Sequence, residues 1–235
     1  MFPFRDHNPS GITPHVTWGL IIVNVLVFLW TRTLPSEIAQ AYVNYEWGMI
    51  PARLSQGQGL ETVFTAMFLH GGWIHLGSNM LFLWVFGDNM EAAMGRARFL
   101  LFYLASGVIA AAAEYGMGPL SRYPVIGASG AIAGILGGYL LLFPKARVDV
   151  IIIFIIFFKT FPLPAWSVLG LWIVLQVYSG ATGQNDGVAY WEHIGGFIGG
   201  AALALPLWRR RKATPARPEE PVTAKSTIPA VNRRD

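Results

Sequence analysis

Four polar side chains lie inside or at the ends of apolar stretches of this sequence, where a polar group is costly and is a functional candidate by default. They are the histidines His75 and His193, the amide Asn79 and the hydroxyl Ser129. His75 and Asn79 are four residues apart, so they lie on one face of a helix. Each of the four is close to the start of its apolar segment, which predicts that they meet at a similar depth.

These residue types complement one another chemically. A serine hydroxyl becomes a nucleophile when an imidazole within hydrogen-bond reach accepts its proton, so Ser129 and His193 are a candidate pair. Ser129 lies near the start of VIGASGAIAGILGGYLLLF, residues 125–143. At a helix start, unpaired backbone N–H groups and the helix dipole favour an anion. His75 and Asn79 could donate further hydrogen bonds to an oxyanion there.

No carboxylate is well placed to complete a triad. Glu192 is adjacent to His193, but consecutive helical residues point to different faces. Asp186 lies in a loop and would reach only if that loop folded back. We therefore expect a Ser–His dyad. Glycines predict the close helix approach that such a pair requires: Gly130, Gly134, Gly137 and Gly138 follow the serine, and Gly195, Gly196, Gly199 and Gly200 follow the histidine.

Each candidate also has a structural interpretation. A serine at a glycine-rich helix contact is more often structural than catalytic, and a histidine at a helix start is often a cap. The four residues together at one depth favour chemistry over these alternatives. We expect a structural role for His70, in the loop before His75. No H-E-x-x-H or comparable histidine pair is present, so the sequence does not support a metalloprotease.

Composition indicates a polytopic membrane protein. The 235 residues are 54% hydrophobic and 13% charged, whereas soluble domains carry about 25% charged residues. The net charge of +4 does not indicate nucleic acid as a partner, because the basic residues gather beside apolar segments and in the tail. The chain has no cysteine, which excludes disulfides and thiolate chemistry.

Six apolar segments approach the length of about 20 residues that a membrane-spanning helix needs. Basic residues follow the second, fourth and sixth segments, and the positive-inside rule makes that side cytoplasmic. Both termini are then cytoplasmic, and the predicted fold is an all-α, six-transmembrane-helix bundle. The segments are 16–31, 74–90, 99–115, 127–143, 163–179 and 191–208.

The remaining parts of the chain are assigned around this bundle. Residues 1–14 are predicted as a cytoplasmic N-terminal tail, 15–210 as the membrane-embedded domain, and 211–235 as a disordered cytoplasmic tail. The long first external loop, 34–73, is predicted to lie in the membrane interface as short amphipathic helices. The apolar segment 149–158 is too short to span, and its β-branched content favours an extended conformation against the cytoplasmic ends of the helices.

Several motifs in this order resemble the rhomboid family of intramembrane serine proteases. They are HLGSNM at 75–80, GASG at 127–130 and HIGG at 193–196, with further similar stretches at 86–103 and 163–176. The resemblance covers about residues 18–207, in the six-span prokaryotic layout. It implies Ser129 as nucleophile, His193 as base, and an oxyanion hole from the Ser129 backbone amide with the side chains of His75 and Asn79.

The resemblance also implies a substrate: a single-pass membrane protein, cut near the outer membrane boundary in the cell (inner) membrane, without metal or cofactor. Oligomeric state stays open. One departure is Ala133, where some members carry an aromatic residue that packs on the imidazole, so another group must hold His193. The loop arginine Arg53 is spaced differently from the motif of some bacterial members, and no catalytic role is assigned to it.

Two other functions are compatible with part of the pattern. An inactive relative could bind membrane proteins and assist their folding or quality control, but such relatives usually lack the serine or the histidine, and both are present here. A small transporter or channel would need polar groups through the full membrane depth. The inner halves of the segments that carry Ser129 and His193 are apolar.

Overall fold

The computed structural model describes residues 2–154, 157–184 and 187–213, so residues 214–235 of the predicted tail and Asp186 lie outside it. Within those ranges the chain is mostly helical and contains one small sheet. The helices are α1 (His15–Arg32), α2 (Glu37–Trp47), α3 (Pro51–Leu54), α4 (Thr62–Thr65), α5 (Trp73–Met94), α6 (Arg96–Met117), α7 (Ser129–Leu142), α8 (Ala165–Ala181) and α9 (Tyr190–Ala213). The strands are β1 (Phe2–Asp6), β2 (Arg147–Phe154) and β3 (Phe157–Pro164).

Each of the six apolar segments forms a helix, namely α1, α5, α6, α7, α8 and α9. By length and composition, α1 and α6 are long and apolar enough to cross a membrane, while α7 and α8 are apolar but shorter. The count of six spans therefore stays a prediction.

Helix α7 lies at the centre of the helical bundle. Its residues 130–139 are all buried, and it packs against α5, α6, α8 and α9. The closest packing is with α9, where a Cβ on Gly137 would overlap the backbone carbonyl of Phe197, and a Cβ on Gly200 would overlap that of Gly134. The glycines therefore bring the two backbones into direct contact, as the sequence predicted.

A buried carboxylate joins α5 to the start of α1. Glu91 is 0% exposed and accepts hydrogen bonds from the backbone N–H groups of Val16 (3.1 Å) and Thr17 (2.8 Å). It also accepts one from the Thr17 hydroxyl at 2.9 Å. The first N–H groups of a helix have no partner within the helix, so the Glu91 side chain, which belongs to α5, caps the start of α1.

The small antiparallel sheet corrects the all-α prediction. Strands β2 and β3 pair in an antiparallel manner, so the described residues of the segment 149–158 have the extended conformation that the sequence predicted, while residues 155 and 156 lie outside the described ranges. The predicted N-terminal tail contributes β1, which pairs with β2 from Phe2–Ile151 to Asp6–Val148. This pairing arises because β2 has an open edge, and an unpaired strand edge is satisfied by another strand.

The carboxylate of Asp6 attaches β1 to the helices. Its Oδ2 accepts hydrogen bonds from the Tyr139 hydroxyl and from Asn89 Nδ2, both at 2.7 Å. Burial, together with the nearby charge of Asp88, raises the pKa of Asp6 from 3.8 to about 6, although the hydrogen bond from Tyr139 opposes the shift. The N-terminal strand is thereby linked to the end of α7 farthest from Ser129.

This raised pKa predicts a pH-dependent contribution to stability. Between about pH 4 and pH 6 the folded chain holds a proton on Asp6 that the unfolded chain has lost, so stability falls as pH rises through this window. An asparagine at position 6 can accept the same two hydrogen bonds through its amide oxygen, and it carries no charge. We expect Asp6→Asn to melt at a higher temperature than wild type at pH 7 and at the same temperature near pH 4, by circular dichroism in detergent. Glu61→Gln, on an exposed loop, is the control, and a less stable Asp6→Asn at pH 7 would contradict the expectation.

Candidate active site

The turn before α7 places Ser129 at the first position of that helix. Gly127 has a φ of +131°, a conformation that side-chain-bearing residues rarely adopt. Its N–H donates to the backbone carbonyl of Ala66 at 2.9 Å, and Val125 pairs with Met49 in an isolated bridge. The hydroxyl therefore emerges from a fixed turn, beside the unpaired N–H groups of a helix start.

Residues of α5 approach this turn from the side. The point where a Cβ on Gly127 would lie is 2.6 Å from His75 Nε2 and 3.5 Å from Ser129 Oγ. His75 and Ser129 thus converge on the space that the glycine leaves open. Asn79 lies one helical turn farther along α5, is 6% exposed, and its Nδ2 has no hydrogen-bond partner among the described residues. Both side chains have donors that can serve a bound oxygen.

His193 lies in the first turn of α9 and is held by α8. Its Nδ1 is 2.7 Å from Gln176 Oε1. In this pairing Nδ1–H donates to the amide oxygen, which leaves the lone pair on Nε2. The imidazole also lies against the indole of Trp172, with ring centroids 5.8 Å apart.

Gln176 and Trp172 therefore hold the imidazole of His193, because Ala133 has no aromatic ring to pack against it. Sequence reasoning named neither Trp172 nor Gln176, although both lie in the stretch LPAWSVLGLWIVLQ. Their spacing of four residues, which places an indole and an amide on one helix face, was the available signal. What the sequence did not show is that this face turns toward His193.

The first turns of α7 and α9 are in contact. A Cβ on Gly196 would overlap the Gly130 carbonyl, and Glu192 Oε1 lies 2.8 Å from the Cβ position of Gly130. This contact brings Ser129 and His193 into neighbouring turns. No hydrogen bond joins the two side chains in the described parts of the chain. Catalytic hydrogen bonds are often long before substrate binds and tighten in the complex.

Two carboxyl groups, those of Glu114 and Glu192, lie near this contact. Glu114 is partly buried, and its Oε2 accepts from the backbone N–H of Glu192 at 3.0 Å. Glu192 is 7% exposed and packs on Gly130. Within the described ranges, His193 bonds no carboxylate, and Asp186 lies outside those ranges, so the dyad stays a prediction.

The hydrogen bond from His193 to Gln176 predicts a measurable effect on catalysis. Such a bond contributes about 0.5–1.5 kcal/mol, so we expect Gln176→Ala to lower kcat about 3- to 10-fold by loosening the imidazole. Gln176→Glu keeps an acceptor, adds a charge that favours the imidazolium, and should move the pH profile of kcat to higher pH. Leu175→Ala, on the exposed side of α8, is the control. A Gln176→Ala variant with the kinetics and pH profile of wild type would show that α8 does not position the base.

Comparison with known proteins gives a consistent result. A model of the Rhomboid domain family matches residues 57–210. Rhomboid protein 1, mitochondrial, of Saccharomyces cerevisiae is 30% identical over 79% of this chain and 51% of its own length. Rhomboid protease GluP of Bacillus subtilis is 36% identical over 65% of this chain and 28% of its own. Presenilin-associated rhomboid-like protein, mitochondrial, of Homo sapiens is 29% identical over 80% and 46%.

The chain spans about half, or less, of the length of these relatives. The residues that the family model matches, 57–210, include His75, Asn79, Ser129 and His193. Since the family model covers well over half of the sequence, the chain belongs to the rhomboid family.

Proposed function

We propose that this chain is a serine endopeptidase that cleaves membrane proteins inside the bilayer with a Ser129–His193 dyad. The observation that carries the proposal is the convergence of Ser129 Oγ and His75 Nε2 on the open side of Gly127. A nucleophile and a hydrogen-bond donor that face the same open space are what acyl transfer requires. The names of two Bacillus subtilis relatives, one a rhomboid protease and the other a putative rhomboid protease, support the same activity class.

In the proposed acylation step, His193 Nε2 accepts the hydroxyl proton while Ser129 Oγ attacks the scissile carbonyl. The contact of Nδ1 with Gln176 Oε1 at 2.7 Å supports the tautomer that has its lone pair on Nε2. The imidazolium then gives its proton to the leaving amine, and a water molecule, deprotonated by the same nitrogen, releases the acyl group. Every proton therefore passes through one histidine.

The negative oxygen formed on the substrate carbonyl would lie at the start of α7. The backbone N–H of Ser129 and the side chains of His75 and Asn79 are the proposed donors. The orphan Nδ2 of Asn79 fits this role, because a buried donor without a partner is costly unless a ligand completes it. Loss of one oxyanion donor typically lowers kcat about 100- to 1,000-fold.

The proposed substrates are single-pass transmembrane proteins, cut near the outer boundary of the cell (inner) membrane. Both termini of this multi-pass chain would be cytoplasmic, with the active site near the opposite face. A substrate helix must approach laterally from lipid, and we propose that α8 and the following loop move to admit it. The outer surface of α8 is apolar and exposed at Leu171, Val174 and Tyr178. Oligomeric state is left open.

Two measurements test the activity. A fluorophosphonate probe should label the folded chain, and mass spectrometry should place the adduct on Ser129. Reconstituted in proteoliposomes, the chain should cut a fluorogenic single-span substrate near its outer boundary. A folded chain that takes no label but binds single-span proteins would instead be the inactive, membrane-protein-binding relative.

A further inference from the structure

A polar cavity lies between the end of α1, helix α2 and the segment that leads into α5, and none of the proposed catalytic residues lines it. Its volume is about 260 Å³. The side chains that matter here are Arg32, Glu37, Gln40, Ala41, Asn44 and His70. The end of α1 is on the same side of the bundle as the start of α5, so the cavity is at the outer face in the proposed orientation.

Three residues of the cavity wall carry buried polar atoms with no hydrogen-bond partner in the described chain: Arg32 Nε, Asn44 Oδ1 and the ring nitrogens of His70. The backbone of Phe68 is near the His70 ring but outside hydrogen-bond geometry. His70 is 3% exposed. Buried donors and acceptors are costly when unpaired. Three such residues around one cavity therefore favour a polar guest that displaces their side chains enough to reach these atoms.

His70 offers one donor and one acceptor to this guest. Burial lowers the pKa of His70 to about 3, with a further contribution from the nearby His75, so the ring is neutral. A neutral imidazole has one N–H and one lone pair. With Arg32 Nε as a donor and Asn44 Oδ1 as an acceptor, the wall requires a guest that both accepts and donates hydrogen bonds.

The cavity also has charges of opposite sign. Arg32 is fixed by donating to Gln40 Oε1 at 2.6 Å and to the Gly71 carbonyl at 3.0 Å, and its guanidinium lies 4.7 Å from the centre of the Phe28 ring. Glu37 lines the same cavity, yet no ion pair joins it to Arg32 among the described residues. A guest that carries both charges would complement the two walls.

The surroundings of the cavity place it at the level of lipid head groups. On α2, the apolar residues Ile38, Tyr42 and Tyr45 are 82%, 64% and 46% exposed, while the polar face of the helix lines the cavity. Trp30 and Trp73 beside it are 52% and 64% exposed. Exposed tryptophan and tyrosine together with an amphipathic helix are typical of the membrane–water interface.

We propose that this cavity binds the head group of a zwitterionic phospholipid with a primary ammonium, of the phosphatidylethanolamine type. Its phosphate would accept from Arg32 Nε and His70, because a guanidinium is a favoured phosphate partner. Its ammonium would donate to Glu37 and Asn44 Oδ1. A purely anionic head group would offer no ammonium to the Glu37 carboxylate and Asn44 Oδ1. A quaternary ammonium would carry the charge but would have no N–H to donate to these oxygens.

The site also has a route to the proposed active site. The rings of His70 and His75 are in edge-to-face contact, with centroids 5.0 Å apart. A lipid that fixes His70 would therefore restrict the position of His75. The binding itself does not rest on protease activity, and it can be tested in a catalytically silent chain.

The test measures lipid retention by native mass spectrometry on the Ser129→Ala chain, purified in detergent and titrated separately with phosphatidylethanolamine, phosphatidylcholine and phosphatidylglycerol. We expect at least tenfold tighter retention of phosphatidylethanolamine than of the other two. Ala41→Phe, which projects a ring into the cavity, should abolish the preference, while Ala39→Phe, on the same helix but outside the cavity, should preserve it. Glu37→Gln should reduce the preference for the primary ammonium over phosphatidylcholine.

Further measurements keep the outcomes separable. Thermal melting checks that the variants fold, and if Ala41→Phe does not, the Glu37→Gln result decides. Free O-phosphoethanolamine at millimolar concentration should compete with the lipid if the head group provides the contacts. Equal retention of the three lipids, or a preference unchanged in both Ala41→Phe and Glu37→Gln, overturns the proposal and leaves water as the occupant. Protease activity does not enter any of these readouts.

Discussion

Ser129→Ala is expected to abolish proteolysis while leaving the fold intact. Loss of the nucleophile in serine proteases lowers kcat by roughly 10⁴- to 10⁶-fold, and the remaining rate would fall below detection in a proteoliposome assay. The substitution removes one oxygen from the first position of α7, and the neighbouring Gly130 and Gly134 contacts with α9 are unchanged. Melting temperature in detergent should therefore stay near that of wild type. Fluorophosphonate labelling should disappear together with the activity.

A second buried serine provides the matched control. Ser106 on α6 is 0% exposed and packs against α7 at Gly134, so Ser106→Ala removes a hydroxyl from the same helix–helix region. We expect this variant to keep its label and most of its turnover. Equal loss in both variants would mean that hydroxyls at this interface serve packing. Cleavage retained in Ser129→Ala would remove the assigned nucleophile.

The helical part of the fold was predictable because apolar length and charge position are local properties. Each apolar segment is bounded by loops or basic residues, and each forms a helix whose ends differ from the predicted ones by a few residues. The sheet was only half predictable. β-branched residues at 149–158 indicated an extended conformation, but the partner of Ile151 is Phe2, and no local pattern in the first residues shows that pairing.

The candidate site divides in the same way. Positions near helix starts could be inferred from sequence, which is why His75, Asn79 and Ser129 were named before their surroundings were known. The rotation of one helix about its axis, relative to its neighbour, could not be inferred from sequence. Gln176 and Trp172 reach His193 only because α8 turns that face toward α9. Inter-helix contacts of this kind depend on packing of the whole bundle.

The unpaired buried atoms around the polar cavity show a further limit of prediction from sequence. Arg32, Asn44 and His70 are scattered over almost forty residues of sequence, and each alone is an ordinary interfacial residue. Their significance follows from burial without partners around one space, which is a three-dimensional property. A structural role for His70 was expected from the sequence, but its neighbours were not.

Gly137→Ala is expected to produce the largest loss of stability in the bundle. The added Cβ would overlap the carbonyl of Phe197, and because both partners are backbone, no side-chain rotation can relieve the contact. Overpacking of a core typically costs about 1–3 kcal/mol, and a clash between two backbones belongs at or above the upper end. For a chain of this length that corresponds to a fall in melting temperature of about 6–12 °C, measured by circular dichroism in detergent.

The same substitution elsewhere separates packing from helix propensity. Gly170 lies in α8, and a Cβ there would meet nothing within 4 Å, so Gly170→Ala should gain the roughly 0.5–1 kcal/mol by which alanine exceeds glycine in a helix interior. The two variants should therefore shift the melting temperature in opposite directions. If they melt together, the contact between α7 and α9 can widen without cost, and the close approach that brings Ser129 beside His193 is not fixed by the glycines. Loss of activity in Gly137→Ala at a temperature where the variant remains folded would show that this approach also sets the distance between Ser129 and His193, the proposed nucleophile and base.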